Sequence, residues 1–187
     1  MKNKKILYWQ LGVIFFELIL GTILHFTYKW SGNNIIVASF SAVNESTWEH
    51  LKLAFFPMLI FSIIEGFFIY KEVNNYLESK TISIVNAMFI ITVVFYSYTG
   101  ILGYNTAVMN ILLFTISIIV SELLSYKLFN MINQSTILTK ILSIIAIIVL
   151  TCYFIIFTYI TPKINYFKDP VTQTYGINVN KVSIGME

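Results

Sequence analysis

Five long apolar runs, separated by short polar segments, limit how this chain can fold more than any other feature of the sequence. The runs predict helices at residues 6–28, 45–70, 82–100, 107–129 and 138–160. A helix of about 20 apolar residues crosses a hydrocarbon core of about 30 Å. Only 11% of the residues are charged and 57% are hydrophobic, whereas soluble domains carry about 25% charged residues. The sequence therefore predicts an all-α integral membrane protein, a bundle of five transmembrane helices.

The domain organisation is predicted to be one transmembrane bundle, residues 1–162, followed by a polar tail, residues 163–187. Three lysines in the first five residues favour a cytoplasmic N-terminus, because positively charged flanks tend to stay inside. An odd number of spans then places the tail on the extracytoplasmic side. The apolar run 35–43 is too short to span, so it predicts a re-entrant or interfacial elbow between the first two helices.

The segment 43–52, Val-Asn-Glu-Ser-Thr-Trp-Glu-His-Leu-Lys, gathers charged and polar side chains in a chain that is otherwise mostly apolar. Ser46 stands three residues before Glu49, which is the spacing of a capping box, and the second helix should therefore begin near Glu45. On a helix, Glu45, Glu49 and Lys52 share one face. Lys52 can then pair with Glu49, and Glu45 is left for a neighbouring group, water or a ligand.

The predicted topology places most polar and aromatic side chains at the outer ends of the helices. This distribution predicts a polar, aromatic-walled pocket that opens outward. The residues predicted to line it are Glu17, His25, Tyr28, Asn44, Glu45, Trp48, Glu49, His50, Lys52, Tyr96, Tyr98 and Asn110. The alternative is that these charges only anchor helix ends among the lipid headgroups, with tryptophans as an interfacial belt.

Glu17 is predicted to lie near the middle of the membrane, where a lipid-facing charge would cost about 2.5–3.5 kcal/mol. It should therefore face the inside of the bundle. Two states are open for its carboxyl group: protonated, or ionised beside His25 or Lys52. A plainer alternative is a neutral side chain that holds two helices together by hydrogen bonding.

Two other acidic residues, Glu65 and Glu122, fall near the predicted cytoplasmic ends of their helices. Lys71 and Lys127 stand close to them in the sequence, so pairing or snorkelling to the membrane surface is the expectation. The polar segment 71–81 is predicted to be a cytoplasmic loop.

A metal site is one interpretation of the two histidines. His25 and His50 are expected at similar depth, and with Glu17 or Glu49 they would form a set of two histidines and one carboxylate. No HExxH, histidine-rich or cysteine-rich pattern supports this interpretation, and the sequence identifies neither a cofactor nor a catalytic residue. The formal charge of +3 and the scattered lysines argue against nucleic acid as a partner.

Five segments of the chain resemble a family of small bacterial multi-pass membrane proteins, mostly from Firmicutes, that is catalogued only as a domain of unknown function. The segments are 30–34, 43–52, 55–57, 96–100 and 169–176. The resemblance extends over nearly the whole chain and implies a bacterial cell membrane as the location. It carries over no binding or catalytic residues.

Three classes of function fit these sequence features. The first is binding or transport of a small polar or cationic solute through the outward-facing pocket. The second is a membrane-embedded enzyme, such as a metal-dependent hydrolase, that uses the histidines and carboxylates on a lipid-like substrate. The third is a structural or regulatory role beside another membrane protein or in a homo-oligomer. The lipid bilayer is the partner common to all three.

Overall fold

The computed structural model describes residues 2–131 and 135–177. Its helices are α1 (Lys2–Trp30), α2 (Ile35–Ala38), α3 (Thr47–Ile69), α4 (Tyr76–Leu102), α5 (Ala107–Met131) and α6 (Ile137–Tyr159), with 3₁₀ turns at Tyr70–Glu72 and Asn165–Phe167. Five helices are long and apolar enough to cross a membrane, which confirms the predicted all-α bundle. Residues 178–187 of the predicted tail lie outside the described residues. The division at residue 162 and the sidedness of the tail stay predictions.

Four of the long helices close into a ring. α1 packs against α3 and α5, and α4 packs against the same two helices. α6 lies outside this ring, against α4. The outward faces expose large apolar side chains, such as Phe67, Ile111 and Ile137. Such faces suit contact with lipid. Polar side chains can therefore lie inside the ring or at the helix ends.

Small residues allow the ring helices to approach closely. A Cβ atom on Gly21 of α1 would lie 2.5 Å from the carbonyl oxygen of Leu53 and 2.6 Å from the ring of Phe114. Between α4 and α5, the Ser83 hydroxyl donates to the carbonyl oxygen of Ser121 at 2.7 Å. Transmembrane helices associate through such small side chains because they bring the backbones together.

The inside of the bundle is layered along the helix direction. We call the end that holds the 43–52 segment the motif end, and the end that holds Lys5 the N-terminal end. An apolar layer in the motif half includes Phe55, Met58 and Ile118. A second apolar layer, Ile6, Ile69, Val73 and Tyr76, lies at the N-terminal end. In each ring helix, polar residues stand between the residues that belong to these two layers.

The helix bounds correct two predictions. α4 begins at Tyr76 rather than at residue 82, so the second half of the predicted loop 71–81 is helical. The side chain of Asn75 docks this helix start by donating to the carbonyl oxygen of Leu128 at 2.9 Å. α3 begins at Thr47, with Ser46 as its N-cap, and Glu45 therefore lies before the helix and does not share its face.

Candidate functional site

The elbow between α1 and α3 is tied to the end of α1 by a buried serine. The Ser41 hydroxyl accepts a hydrogen bond from the backbone N–H of Tyr28 at 3.0 Å and lies 2.5 Å from the carbonyl oxygen of Leu24, to which it donates. Asn34 begins the single helical turn of the elbow, α2, by accepting from two backbone N–H groups. The bonds of Ser41 hold the elbow against the end of α1.

Glu49 and Lys52 form a buried ion pair at the motif end. The Lys52 Nζ lies 2.5 Å from the Glu49 Oε2, and the two side chains are 0% and 2% exposed. The ammonium also donates to the carbonyl oxygen of Ala38 and to the Thr158 hydroxyl, each at 2.9 Å. An ammonium has three donors, and these three partners use them all. The predicted pairing is confirmed, and its role is to join the elbow, α3 and α6.

The two histidines meet beside Glu45. The ring centroids of His25 and His50 are 5.3 Å apart, and the His50 Nε2 lies 3.4 Å from the Glu45 Oε2. One nitrogen or oxygen of each of the three residues can be chosen so that all lie within 4.8 Å of one another. The three side chains are half-buried. We call this group the His25–Glu45–His50 cluster; its carboxylate comes from Glu45, whereas the sequence had suggested Glu17 or Glu49.

A hydrogen bond orients the ring of His50. The His50 Nδ1 lies 2.9 Å from the carbonyl oxygen of Ser46, which can only accept, so Nδ1 carries a hydrogen. When His50 is protonated, its Nε2 donates to Glu45, and this hydrogen bond lowers the pKa of the Glu45 carboxyl. When His50 is neutral, the same Nε2 carries a lone pair that can bind a cation. Glu45 is therefore a carboxylate at neutral pH, and with neutral rings the cluster presents two imidazoles and one negative charge.

The tail covers the motif end. The Asn44 side chain donates to the carbonyl oxygen of Gly176 at 3.1 Å, and the indole of Trp48 packs on the ring of Phe167, with centroids 4.9 Å apart. Gly176 has a φ of +61°, and a Cβ there would press against Thr161. The tail and the 43–52 segment are thus two parts of one packed surface.

The remaining predicted pocket residues bond to other groups. The Tyr96 hydroxyl lies 3.3 Å from the Thr47 hydroxyl, and Tyr98 donates to the Asn110 side chain. Tyr28 is buried near the end of α1. The structure thus brings three of the predicted residues, His25, Glu45 and His50, together as an open set of ligand atoms, and it uses the others for packing and hydrogen bonding.

A second polar group, absent from the sequence prediction, crosses the middle of the ring. Lys80 of α4 is 3% exposed, and its Nζ lies 2.7 Å from the Glu65 Oε2 and 2.5 Å from the Glu122 Oε2. Glu65 and Glu122 therefore pair with Lys80, and the prediction that they pair with Lys71 and Lys127 is wrong. The whole group, called here the polar layer, consists of Gln10, Glu17, Glu65, Lys80, Ser83, Glu122, Ser125 and the hydroxyl of Tyr76, whose ring belongs to the apolar layer at the N-terminal end.

Glu17 belongs to the polar layer and not to the motif end. Its side chain is 0% exposed, and the charged groups that act on it are Glu122, Lys80 and Glu65. The expected neighbours, His25 and Lys52, are not among them. The burial of Glu17 agrees with the inward orientation that was expected for it. Its neighbours are not the ones that were expected.

One sequence signal could have pointed to the polar layer. Lys80 and Ser83 are three residues apart, and so are Glu122 and Ser125. Such pairs share a helix face. If the third predicted span had begun at Tyr76, as α4 does, the Lys80–Ser83 face and the Glu122–Ser125 face would have been predicted at similar depths in neighbouring helices. The charges of the segment 71–81 favoured a loop instead. Lys80 was therefore not predicted to lie on a helix face.

The fold and its polar groups define a multi-pass α-helical membrane protein with one half-buried ligand cluster at an end and one polar layer inside. The chain matches a family of unknown function (DUF6512) over residues 1–177 and belongs to that family. No curated protein and no solved structure shows significant similarity to it.

Proposed function

We propose that this membrane protein binds a divalent transition-metal cation, such as Zn²⁺, through His25, Glu45 and His50, and that this cation is the solute it handles. The observation that carries the proposal is the convergence of three ligand atoms within 4.8 Å of one another. Two imidazoles and a carboxylate are ligands that first-row transition metals prefer.

The distance between two of the ligand atoms in the cluster matches such an ion. Zinc binds nitrogen and oxygen ligands at about 2.0–2.2 Å in a tetrahedral arrangement, so two ligand atoms on one ion stand roughly 3.4 Å apart. The His50 Nε2 and the Glu45 Oε2 lie 3.4 Å apart. The carbonyl oxygen of Ser46, bonded to the other ring nitrogen of His50, acts as the group that orients a metal-binding histidine.

The surrounding charges support a cation over an anion. With His25 and His50 neutral, as metal ligands must be, the cluster carries the negative charge of Glu45, and Lys52 is already neutralised by Glu49. A divalent cation would therefore enter a site of opposite charge at the edge of the hydrocarbon, where Coulomb attraction is stronger than in water.

A metal-dependent hydrolase is the second candidate, because three protein ligands leave a position for an activated water, as in catalytic zinc sites. Hydrolysis also needs a base beside that water. Glu49, the other carboxylate of the motif, is held by Lys52 and by the backbone N–H of Val43 at 3.0 Å. Cation binding and transfer therefore fit the geometry better.

We also place the motif end on the outside of a bacterial cell membrane in this proposal. The support is the group of lysines at the N-terminal end, which favours the cytoplasm for that end. The cluster would then meet cations from the external medium.

The test of binding uses detergent-solubilised protein without a histidine tag, in a Cys152→Ser background because that thiol is exposed. Zn²⁺ is titrated by calorimetry into this protein and into its Glu45→Gln, His25→Gln and His50→Gln variants. Loss of one orienting group behind a ligand costs about 10–100-fold in metal affinity, so loss of a ligand should cost at least that much. Glu72→Gln, at the N-terminal end, is the matched control and should bind normally.

The test of transport uses the same proteins in liposomes that contain a zinc-sensitive dye. Zinc uptake by the unaltered protein, lost in Glu45→Gln and kept in Glu72→Gln, would support the proposal. Tight binding without uptake would favour the hydrolase. The absence of saturable Zn²⁺ binding by the unaltered protein would refute both.

A further inference from the structure

The polar layer places four ionisable side chains of four different helices in the interior of the ring. Glu17 comes from α1, Glu65 from α3, Lys80 from α4 and Glu122 from α5. All four are at most 3% exposed. Apolar layers lie on both sides of them. Ionisable residues at such depth are costly and usually serve a function.

Glu65 and Glu122 have direct hydrogen-bond donors. The Glu65 Oε1 accepts from the Gln10 side chain at 2.7 Å, and its Oε2 pairs with Lys80. The Glu122 Oε2 also pairs with Lys80. Three hydroxyls lie close to these carboxylates: that of Tyr76 at 3.1 Å from the Glu65 Oε2, that of Ser83 at 3.2 Å from the Glu122 Oε1, and that of Ser125 at 3.1 Å from the Glu122 Oε2.

Each of these hydroxyls has one hydrogen and a second acceptor within reach. The Tyr76 hydroxyl lies 2.5 Å from the carbonyl oxygen of Ser62, the Ser83 hydroxyl lies 2.7 Å from that of Ser121, and the Ser125 hydroxyl lies 3.0 Å from the Gln10 side-chain oxygen. Lys80 is therefore the donor that Glu65 and Glu122 share, and Glu65 has the Gln10 amide in addition. Such pairing with a shared ammonium is that of a structural ion-pair network.

Glu17 stands apart from this network. Within the described part of the chain, neither of its two carboxyl oxygens has a hydrogen-bond partner, although both are buried. A buried polar group without a partner is rare and indicates strain, a chemical role, or a bound water or ion. A structural role as hydrogen-bonding glue would require a partner on another helix, and the described residues supply none.

The charges of the layer are also unbalanced. Among the described residues, Glu17, Glu65 and Glu122 face one ammonium, that of Lys80, and one further ionisable group, the phenol of Tyr76. Three carboxylates and one ammonium leave a net charge of −2, so in surroundings of low dielectric the group reaches neutrality only when two protons or other monovalent cations are bound. Glu65 and Glu122 share Lys80, whereas Glu17 has no ammonium within salt-bridge distance, so Glu17 is the first of the three to take an added proton.

We infer that Glu17 is an exchangeable proton-binding site inside the membrane, with Lys80 as the fixed countercharge that sets how many protons the polar layer holds. The proton leaves the Glu17 carboxyl as H⁺ to water and returns by the same step, without any other bond being made or broken. This inference is independent of the metal site, which lies at the motif end.

The test is infrared difference spectroscopy of the protein in lipid, between about pH 5 and about pH 9. This range covers the pKa values that buried carboxyl groups reach in proteins. A protonated carboxyl group absorbs infrared light at a different frequency from a carboxylate. The unaltered protein should lose the band of a protonated carboxyl as the pH rises. Glu17→Gln, which keeps the shape of the side chain, should lack this change, and Glu72→Gln should keep it.

Two results would overturn the inference. One is a protonated band that stays constant over the whole range, because the proton would then be held permanently. The other is the same pH-dependent change in Glu17→Gln. Should this variant fail to fold, carbodiimide labelling of the unaltered protein decides, since the reagent attacks protonated carboxyls in apolar surroundings. Labelling of Glu17 that falls with pH supports exchange, and no labelling or pH-independent labelling refutes it. Zn²⁺ affinity should be unchanged in Glu17→Gln.

Discussion

Breaking the ion pair of Glu49 and Lys52 should destabilise the protein strongly, and removing both partners should restore much of the loss. Lys52→Met leaves Glu49 buried and without its cation, and it takes a donor from the carbonyl oxygen of Ala38. Removal of one partner of a buried pair costs about 3–5 kcal/mol. For a chain of this size, 1 kcal/mol shifts the melting temperature by about 2–4 °C, so we expect a decrease of roughly 6–20 °C.

The reverse change, Glu49→Gln, leaves the Lys52 ammonium without a countercharge and should cost a similar amount. In the double variant no buried charge remains unpaired. Thr158 still donates to the carbonyl oxygen of Phe154 at 2.7 Å, and the remaining loss is the unpaired carbonyl oxygen of Ala38, about 1–3 kcal/mol. The double variant should therefore be more stable than either single variant.

The assay is thermal unfolding of the detergent-solubilised proteins, followed by tryptophan fluorescence, because Trp48 packs against Phe154 and Phe167 near this pair. The control is the double variant of Lys5 and Glu72, an ion pair whose side chains are 49% and 29% exposed. Such surface pairs contribute about 0–1 kcal/mol. A Glu49–Lys52 double variant whose loss equals the sum of the two single losses would refute the coupling.

Three further predictions concern the rest of the bundle. Lys80→Met should lower the melting temperature at least as much as Lys52→Met, because it leaves two buried carboxylates without their cation; an unchanged melting temperature would contradict the pairing. Gly21→Ala should destabilise by about 1–3 kcal/mol, since its Cβ would overlap a backbone carbonyl, whereas Gly12→Ala, with open space around it, should be neutral or stabilising in the same melts. In a cysteine-free background, Val171→Cys should react with an impermeant maleimide on intact cells, and reaction only after permeabilisation would reverse the proposed orientation.

The helices were predictable because their signal is local in the sequence. Each apolar run alone specifies a membrane span, and the described bounds of α5 and α6 differ from the predicted ones by at most two residues. The pairing of Glu49 with Lys52 was also predictable, since residues three apart on a helix are neighbours. The meeting of His25 and His50 followed from a short connection between two adjacent helices.

The role of Glu45 was not predictable from helical spacing. Spacing placed it on the face of Glu49, but the helix begins two residues later, and the non-helical chain turns Glu45 back towards His50. The polar layer was missed for a different reason. Lys80 has its partners on two other helices, so the charge that looked like part of a loop is buried only because of tertiary packing.

X-ray absorption spectroscopy at the zinc edge, on the Cys152→Ser protein loaded with one equivalent of Zn²⁺, tests the central claim most directly. The account predicts nitrogen and oxygen ligands at about 2.0–2.2 Å with the outer-shell scattering of two imidazoles. In His50→Gln, one imidazole should be lost from that scattering. Outer-shell scattering without an imidazole contribution, or one that is unchanged in His50→Gln, would contradict the assignment of His25, Glu45 and His50 as the metal site.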